Sequence, residues 1–142
     1  MVKASYPCLW FDGNAQQAAE FYCSVFENSS ITATNPFVVK FLLNGVEMMG
    51  LNGGPQHTFS EAVSFVIECD TQAEIDHYWE KLSAGGREKM CGWLEDQFGL
   101  SWQVVPKVLG ELMSNPDNAQ KVFAVFQQMK KFEIAPLLEA VK

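Results

Sequence analysis

The sequence predicts an α+β fold: a duplicated unit of one strand, one helix and two or three strands, followed by a helical tail. Three observations carry that reading. A strand, helix-cap and helix pattern occurs twice at a fixed offset, with Asn14 meeting Asp70, Gln16 meeting Gln72, Tyr22 meeting Tyr78 and Phe26 meeting Leu82. After each helix the hydrophobic pattern switches from helical spacing to period two. The charge also changes along the chain. Residues 1–100 hold 5 basic and 13 acidic side chains, net −8, whereas residues 101–142 hold 5 and 4, net +1.

Cys8-Leu9-Trp10-Phe11-Asp12 is a short apolar run ending in an acid and reads as the first strand. Gly13 and Asn14 supply a turn and a helix N-cap, whose side-chain oxygen is suited to an orphan backbone N–H. Ala15 to Phe26 then places Ala18, Tyr22, Val25 and Phe26 on one helical face. Ser30 to Thr34 and Phe37 to Leu43 read as strands. Asn44-Gly45 is a hairpin turn leading into a strand from Val46 to Leu51, since both central positions of such a turn need positive φ.

Asn52-Gly53-Gly54-Pro55-Gln56 breaks the chain between the halves. Ser64 to Glu68 is the strand that opens the second half, Asp70 or Thr71 caps the helix, and Gln72 to Leu82 sets Ile75, Tyr78 and Leu82 at helical spacing. Gly85-Gly86 ends that helix. Lys89 to Leu94 and Leu100 to Val105 read as two further strands. Past Pro106 a short helix runs to Met113, and Asn115-Pro116-Asp117 is a turn with a helix start built in. The next helix carries an apolar stripe of Val122, Val125, Phe126 and Met129, and Ile134 to Val141 forms a last amphipathic turn or two.

A chain of 142 residues suits one domain or two small modules sharing a core. With 48% hydrophobic, 13% aromatic and 19% charged residues it is not a disordered chain. The net charge of −7 and the single arginine, Arg87, argue against a nucleic-acid partner, because Lys and Arg contacts to phosphate supply most of that affinity. No apolar run approaches the roughly 20 residues of a membrane span. Met1 to Pro7 lacks the apolar core of a signal peptide, so a cytoplasmic placement is expected. The four cysteines Cys8, Cys23, Cys69 and Cys91 form no CxxC pair and read as small free thiols.

Several segments are similar to one family. They are Leu9-Trp10-Phe11-Asp12-Gly13-Asn14-Ala15, Phe21-Tyr22, Leu51 to Pro55, Tyr78 to Leu82, Cys91 to Leu94 and Phe98 to Pro106. Together they resemble the PhnB-like proteins, often labelled 3-demethylubiquinone-9 3-methyltransferase, of the glyoxalase/bleomycin-resistance/dioxygenase (vicinal oxygen chelate) superfamily. The resemblance implies paired βαβββ modules forming a curled mixed sheet around a cavity, commonly in a homodimer with shared sheets. The tandem modules would occupy residues 1–106, the first at 1–52 and the second at 60–106. Residues 107–142 would be a C-terminal helical extension packed on the same domain. The segment between Ile31 and Phe37 is shorter than is usual in this group, which predicts an altered wall of the first-module cavity.

Metal-using relatives place one His, Gln or Glu ligand on the first and last strand of each module. The nearest positions here are Tyr6 to Cys8, Glu47 to Leu51, Ala62 to Ser64, and Gln103. Gln103 alone is not a site, so no metal is expected at the superfamily position. The methyltransferase label implies S-adenosylmethionine, but Phe11-Asp12-Gly13-Asn14 is not the Gly-rich turn that such enzymes use, and no cofactor is expected. Gly53-Gly54 is a turn without a phosphate-facing helix behind it.

The aromatics are more suggestive, because aromatic-lined pockets with a few polar groups commonly hold small molecules. Trp10, Trp93 and Trp102 fall on strands and Trp79 on a helix; each also suits core packing. If a cavity exists, its expected lining is Trp10, Asn52, Trp102 and Gln103. His57 reads either as a loop histidine or as a cavity-mouth residue that would pair with Glu61 for acid–base work; His77 reads as a packed or surface side chain.

The leading expectation is a homodimeric small-molecule-binding protein that works without metal. Its interface would bury roughly 2,000 Å² or more. The alternatives are an enzyme acting on a small aromatic or quinone-like substrate, or an interaction module whose helical tail docks a partner.

Overall fold

A computed structural model describes residues 1–142. The chain divides into two compact units, Met1–Phe59 and Ser60–Lys142. The first runs β1 (Cys8–Phe11), α1 (Ala15–Val25), β2 (Ser30–Thr34), β3 (Val38–Leu43) and β4 (Val46–Asn52). Its sheet has the order β1-β4-β3-β2, with β1 parallel to β4 and the other pairs antiparallel. The second begins with β5 (Ser64–Cys69), α2 (Gln72–Ser83), β6 (Arg87–Glu88), β7 (Trp93–Glu95) and β8 (Ser101–Pro106). Its sheet order, β5-β8-β7-β6, repeats the first, again with the outer pair β5 and β8 parallel. Each unit is thus a βαβββ module, and the duplication is real.

Period-two burial makes each sheet two-faced. In the first unit Leu9, Phe11, Val39, Phe41, Leu43 and Met48 are buried on the helix side. There they meet Ala15, Ala18, Ala19, Tyr22 and Val25, the buried stripe of α1, with Tyr22 stacked on Phe41 at 6.4 Å between ring centroids. The alanines let the helix lie close. A Cβ on Gly50 would stand 3.2 Å from that of Ala15, so β4 carries glycine there. The hairpin turn is as expected, with Asn44 at φ 50 and Gly45 at φ 81.

The cap of α1 differs from expectation. Asn14 occupies the N-cap position but makes no side-chain cap bond. Instead Asn52, at the end of β4, accepts from the Ala15 amide at 2.9 Å through its Oδ1. The neighbouring strand has taken over the capping.

In the second unit Thr71 and Glu74 form a full capping box at the start of α2. Its buried stripe is Ile75, Trp79 and Leu82, so Trp79 takes the core position expected of Tyr78. The cause is one extra residue between strand and helix. The strands repeat at the expected offset, but the helices align one residue later, pairing Ala18 with Ile75, Tyr22 with Trp79 and Val25 with Leu82.

The strand expected from Lys89 to Leu94 is also corrected. Cys91 at φ 60 and Gly92 at φ 80 turn the chain there, and the Lys89 amide donates to the Trp93 carbonyl across the turn. Two short strands, β6 and β7, result. Gly92 is obligatory for a second reason, since any Cβ there would overlap the ring of Phe132.

The tail continues the second unit as α3 (Val108–Ser114), α4 (Pro116–Phe126) and α5 (Ile134–Glu139). Asn115 caps α4 by accepting from the Asp117 amide. Between α4 and α5 the chain is strapped down. Cys91 and Gly92 amides donate to the Met129 and Lys130 carbonyls. The Gln72 side chain donates to the Phe132 carbonyl and accepts from the Ile134 amide. Phe132 is buried, and burying a side chain of this size stabilises by about 1.5–3 kcal/mol. No helix is long and apolar enough to cross a membrane.

Candidate functional site

The face of each sheet turned away from its helix is the open one, and the expected site residues divide between these faces and the core. In the first unit Trp10 and His57 come together at one end of the sheet. Asn52, in register with the buried Phe11, turns to the helix side, so its expected place beside Trp10 in a cavity lining is corrected. The Trp10 indole donates from Nε1 to the Gly54 carbonyl at 2.9 Å and meets the His57 ring edge-on at 4.8 Å between centroids. A Cβ on Gly53 would overlap that indole, so the Asn52-Gly53-Gly54 segment grips Trp10 from its face and its edge. Asn52 is similarly engaged: beyond capping α1, its Nδ2 donates to the Pro36 carbonyl at 3.2 Å. His57 is exposed, and Glu61 pairs with Lys89 at 2.7 Å rather than with it.

In the second unit Trp102 and Gln103 are separated by strand geometry. Adjacent residues of a strand point to opposite faces. Trp102 faces the core at 2% exposure and donates from Nε1 to Oδ2 of Asp96 at 2.9 Å. Its placement in a cavity lining is therefore corrected. Gln103 lies on the open face, where its Nε2 donates to the Ser64 hydroxyl at 3.0 Å. That bond fixes the amide and turns Oε1 into an oriented acceptor.

Around Gln103 the open face forms a groove of about 300 Å³. Val66, Glu68 and Val105 line its sheet side. Pro106, Lys107, Leu109, Gly110 and Met113 supply the other wall. Val66 is opposite Gln103 on β5, and Trp93 is opposite it on β7, so the three form one row across the sheet. Reading the sequence missed Val66 and the α3 wall. The alternation that sets Val104 and Trp102 in the core was the available signal for Val105 and Gln103 on the open face.

The donor chemistry does not fit a divalent metal of the superfamily kind. The open-face residues at the ligand positions are Cys8 beside Met49 in one unit and Ser64 beside Gln103 in the other. Nowhere do three His, Cys, Asp or Glu side chains gather as a metal site would require. Three of the thiols are raised by burial, Cys8, Cys23 and Cys69, the last to about 11 with Glu74 and Asp70 adding to the shift.

A family model described as 3-demethylubiquinone-9 3-methyltransferase matches residues 3–105. The chain belongs to that family. Within the 3-demethylubiquinone-9 3-methyltransferase family model, the match ends at Val105, just before the residues that build the second wall of the groove.

The PhnB protein of Bacillus cereus is 31% identical over 73% of this chain and 99% of its own, with a TM-score of 0.67. The fosfomycin resistance protein FosX of Listeria monocytogenes, in complex with Mn(II) and sulfate, shares the fold at 15% identity, covering 80% of this chain and 97% of its own, TM-score 0.61. A glyoxalase-related enzyme of Fulvimarina pelagi does so at 14% identity over 77% of this chain and 91% of its own, TM-score 0.55. The fold is therefore that of the vicinal oxygen chelate superfamily. No curated protein matches the chain.

Proposed function

We propose that this protein binds a small organic molecule, without metal, in the groove on the open face of β5 and β8. The observation that carries the reading is the Gln103 amide, oriented by Ser64 in a groove whose apolar walls are Val66, Val105, Pro106, Leu109 and Met113, with Glu68 and Lys107 also lining it. Apolar walls with one or two fixed polar groups are the usual constitution of a small-molecule site. Metal independence is supported by the thiol, thioether, hydroxyl and amide donors at the superfamily positions. The methyl transfer named in the family description has no support from a Gly-rich cofactor turn in this sequence.

A homodimer is part of the same proposal. Val46 and Val63 are each more than half exposed, and both four-stranded sheets are open. Open edges and apolar faces of this kind are commonly covered by a second copy. Light scattering in solution tests this part, and a stable 15.9 kDa monomer at micromolar concentration contradicts it.

Thermal unfolding against fractionated metabolite pools tests the binding itself. A ligand at 100 times its Kd raises stability by about 2.7 kcal/mol. The stabilisation is expected to be lost in Gln103→Ala. A pool that stabilises Gln103→Ala as much as the parent protein contradicts the assignment of the groove.

A further inference from the structure

Gly110 sits in the middle of α3, where neither the backbone nor packing calls for glycine. Its φ is not in the left-handed region, and a Cβ built on it meets nothing within 4 Å. Glycine within a helix is less favourable than alanine. Gly110 is exposed and lines the groove, so a side chain in its place would add bulk at the groove wall. A helix-weakening residue at this point therefore keeps the groove open.

The polar groups at the same end of the groove come as an opposed pair. Glu68, next to the last residue of β5, lies opposite Val105, and Lys107 follows β8 with its amide donating to the Cys69 carbonyl. Both side chains are exposed, and neither joins the protein's ion pairs. One carboxylate and one ammonium beside an apolar trough match a ligand bearing both charges on an apolar body.

We propose, resting on the groove assignment above, that the ligand is a small zwitterion with an apolar side group, of the α-amino-acid type, and that Gly110 is the specificity-determining position. Because Pro106, Lys107, Leu109, Gly110 and Met113 all lie beyond the family match, this wall sets the chain's ligand apart from those of relatives that share only residues 3–105.

Three probes with one apolar body test the proposal: phenylalanine, 2-phenylethylamine and 3-phenylpropionate, each titrated by NMR with toluene as an uncharged reference. Phenylalanine is expected to bind at least tenfold more tightly than either singly charged probe. Glu68→Gln should reduce it to the affinity of 3-phenylpropionate, and Lys107→Gln to that of 2-phenylethylamine. Gly110→Leu should remove binding of all four while leaving Tm unchanged or higher, and Gly110→Ala should raise Tm, which separates blocking from misfolding. Equal affinity for the three charged probes, binding of toluene alone, or undiminished binding by folded Gly110→Leu overturns this proposal and leaves the groove assignment standing. Failure of all four probes, and of a broader fragment set, to reach the groove overturns both.

Discussion

The indole Nε1 of Trp102 donates to Oδ2 of Asp96 at 2.9 Å, both residues being 2% exposed. The other carboxylate oxygen accepts from the Phe98 and Leu100 amides at 2.8 and 3.0 Å. One buried carboxylate thus closes the turn between β7 and β8 and anchors the tryptophan beneath the groove. Removing it breaks two buried hydrogen bonds, from Trp102 and Leu100, and the part-buried one from Phe98, and each such loss costs about 1–3 kcal/mol. Asp96→Ala is expected to lower stability by about 3 kcal/mol or more in urea denaturation. Asp96→Asn should also destabilise, because an amide presents a donor or a weaker acceptor to the indole. A change within about 0.5 kcal/mol for Asp96→Ala would contradict this account of the turn.

Gly53 is expected to be as restrictive through packing alone. Its missing Cβ makes room for the Trp10 ring, and overpacking of this kind costs about 1–3 kcal/mol. Gly53→Ala should therefore lower Tm and displace the Trp10 indole from its bond to Gly54, read as a shift of its Nε1–H resonance. An unshifted resonance would show that the loop does not grip the ring.

The strap between α4 and α5 carries a pH dependence. Lys131 hydrogen-bonds Asp76 at 2.7 Å. That bond, then one from Gln72, holds the Asp76 carboxyl below its ordinary value near 3.8, and the same bond raises Lys131 above 10.5. A lowered carboxyl stabilises above its unfolded value and loses that contribution as pH falls through its folded value; a raised lysine stabilises below its unfolded value and loses it as pH rises through the folded one. Amide exchange of Phe132 and Ile134 should thus show steady protection, after correction for intrinsic rates, from about pH 5 to 9. Protection should weaken below about pH 4. Asp76→Asn should flatten the acid limb, and an unchanged limb in that variant would assign it to another group.

Thiol labelling should rank the cysteines by burial. Cys8 is exposed and Cys69 is buried with its thiol pushed up to about 11. The thiolate is the reactive form, so at pH 7.5 N-ethylmaleimide should modify Cys8 first and Cys69 only on unfolding. Prompt labelling of native Cys69 would mean that β5 and α2 open locally.

Much of the fold was legible because local signals agreed with each other. Asn44-Gly45, the Asn115 cap and the alternation of Val38 to Leu43 each specify one conformation on their own. The misreadings arose where a distant residue overrode the local one. Asn52 caps α1 in place of Asn14, and one added loop residue rotates α2 so that Trp79 replaces Tyr78 in the core. The Lys89 to Leu94 run looked extended, but Cys91 and Gly92 turn it to receive Phe132.

The site was half legible for a related reason. Gln103 was found from its chemistry, whereas Trp102 needed the strand's facing, and facing depends on which side the helix covers. Leu109, Gly110 and Met113 carry no chemistry that marks them in sequence, and only the path of the chain after Pro106 brings them to the groove.

The central claim is that ligand binds on the open face of β5 and β8. It is tested most directly by mapping amide and indole NMR shifts during titration with a stabilising small molecule. The account predicts that perturbations cluster on Val66, Trp93, Gln103, Leu109 and Gly110, and that Trp10 and His57 stay unmoved. Saturating shifts confined to Trp10, His57 and the Gly53-Gly54 turn, with Gln103 silent, would contradict it.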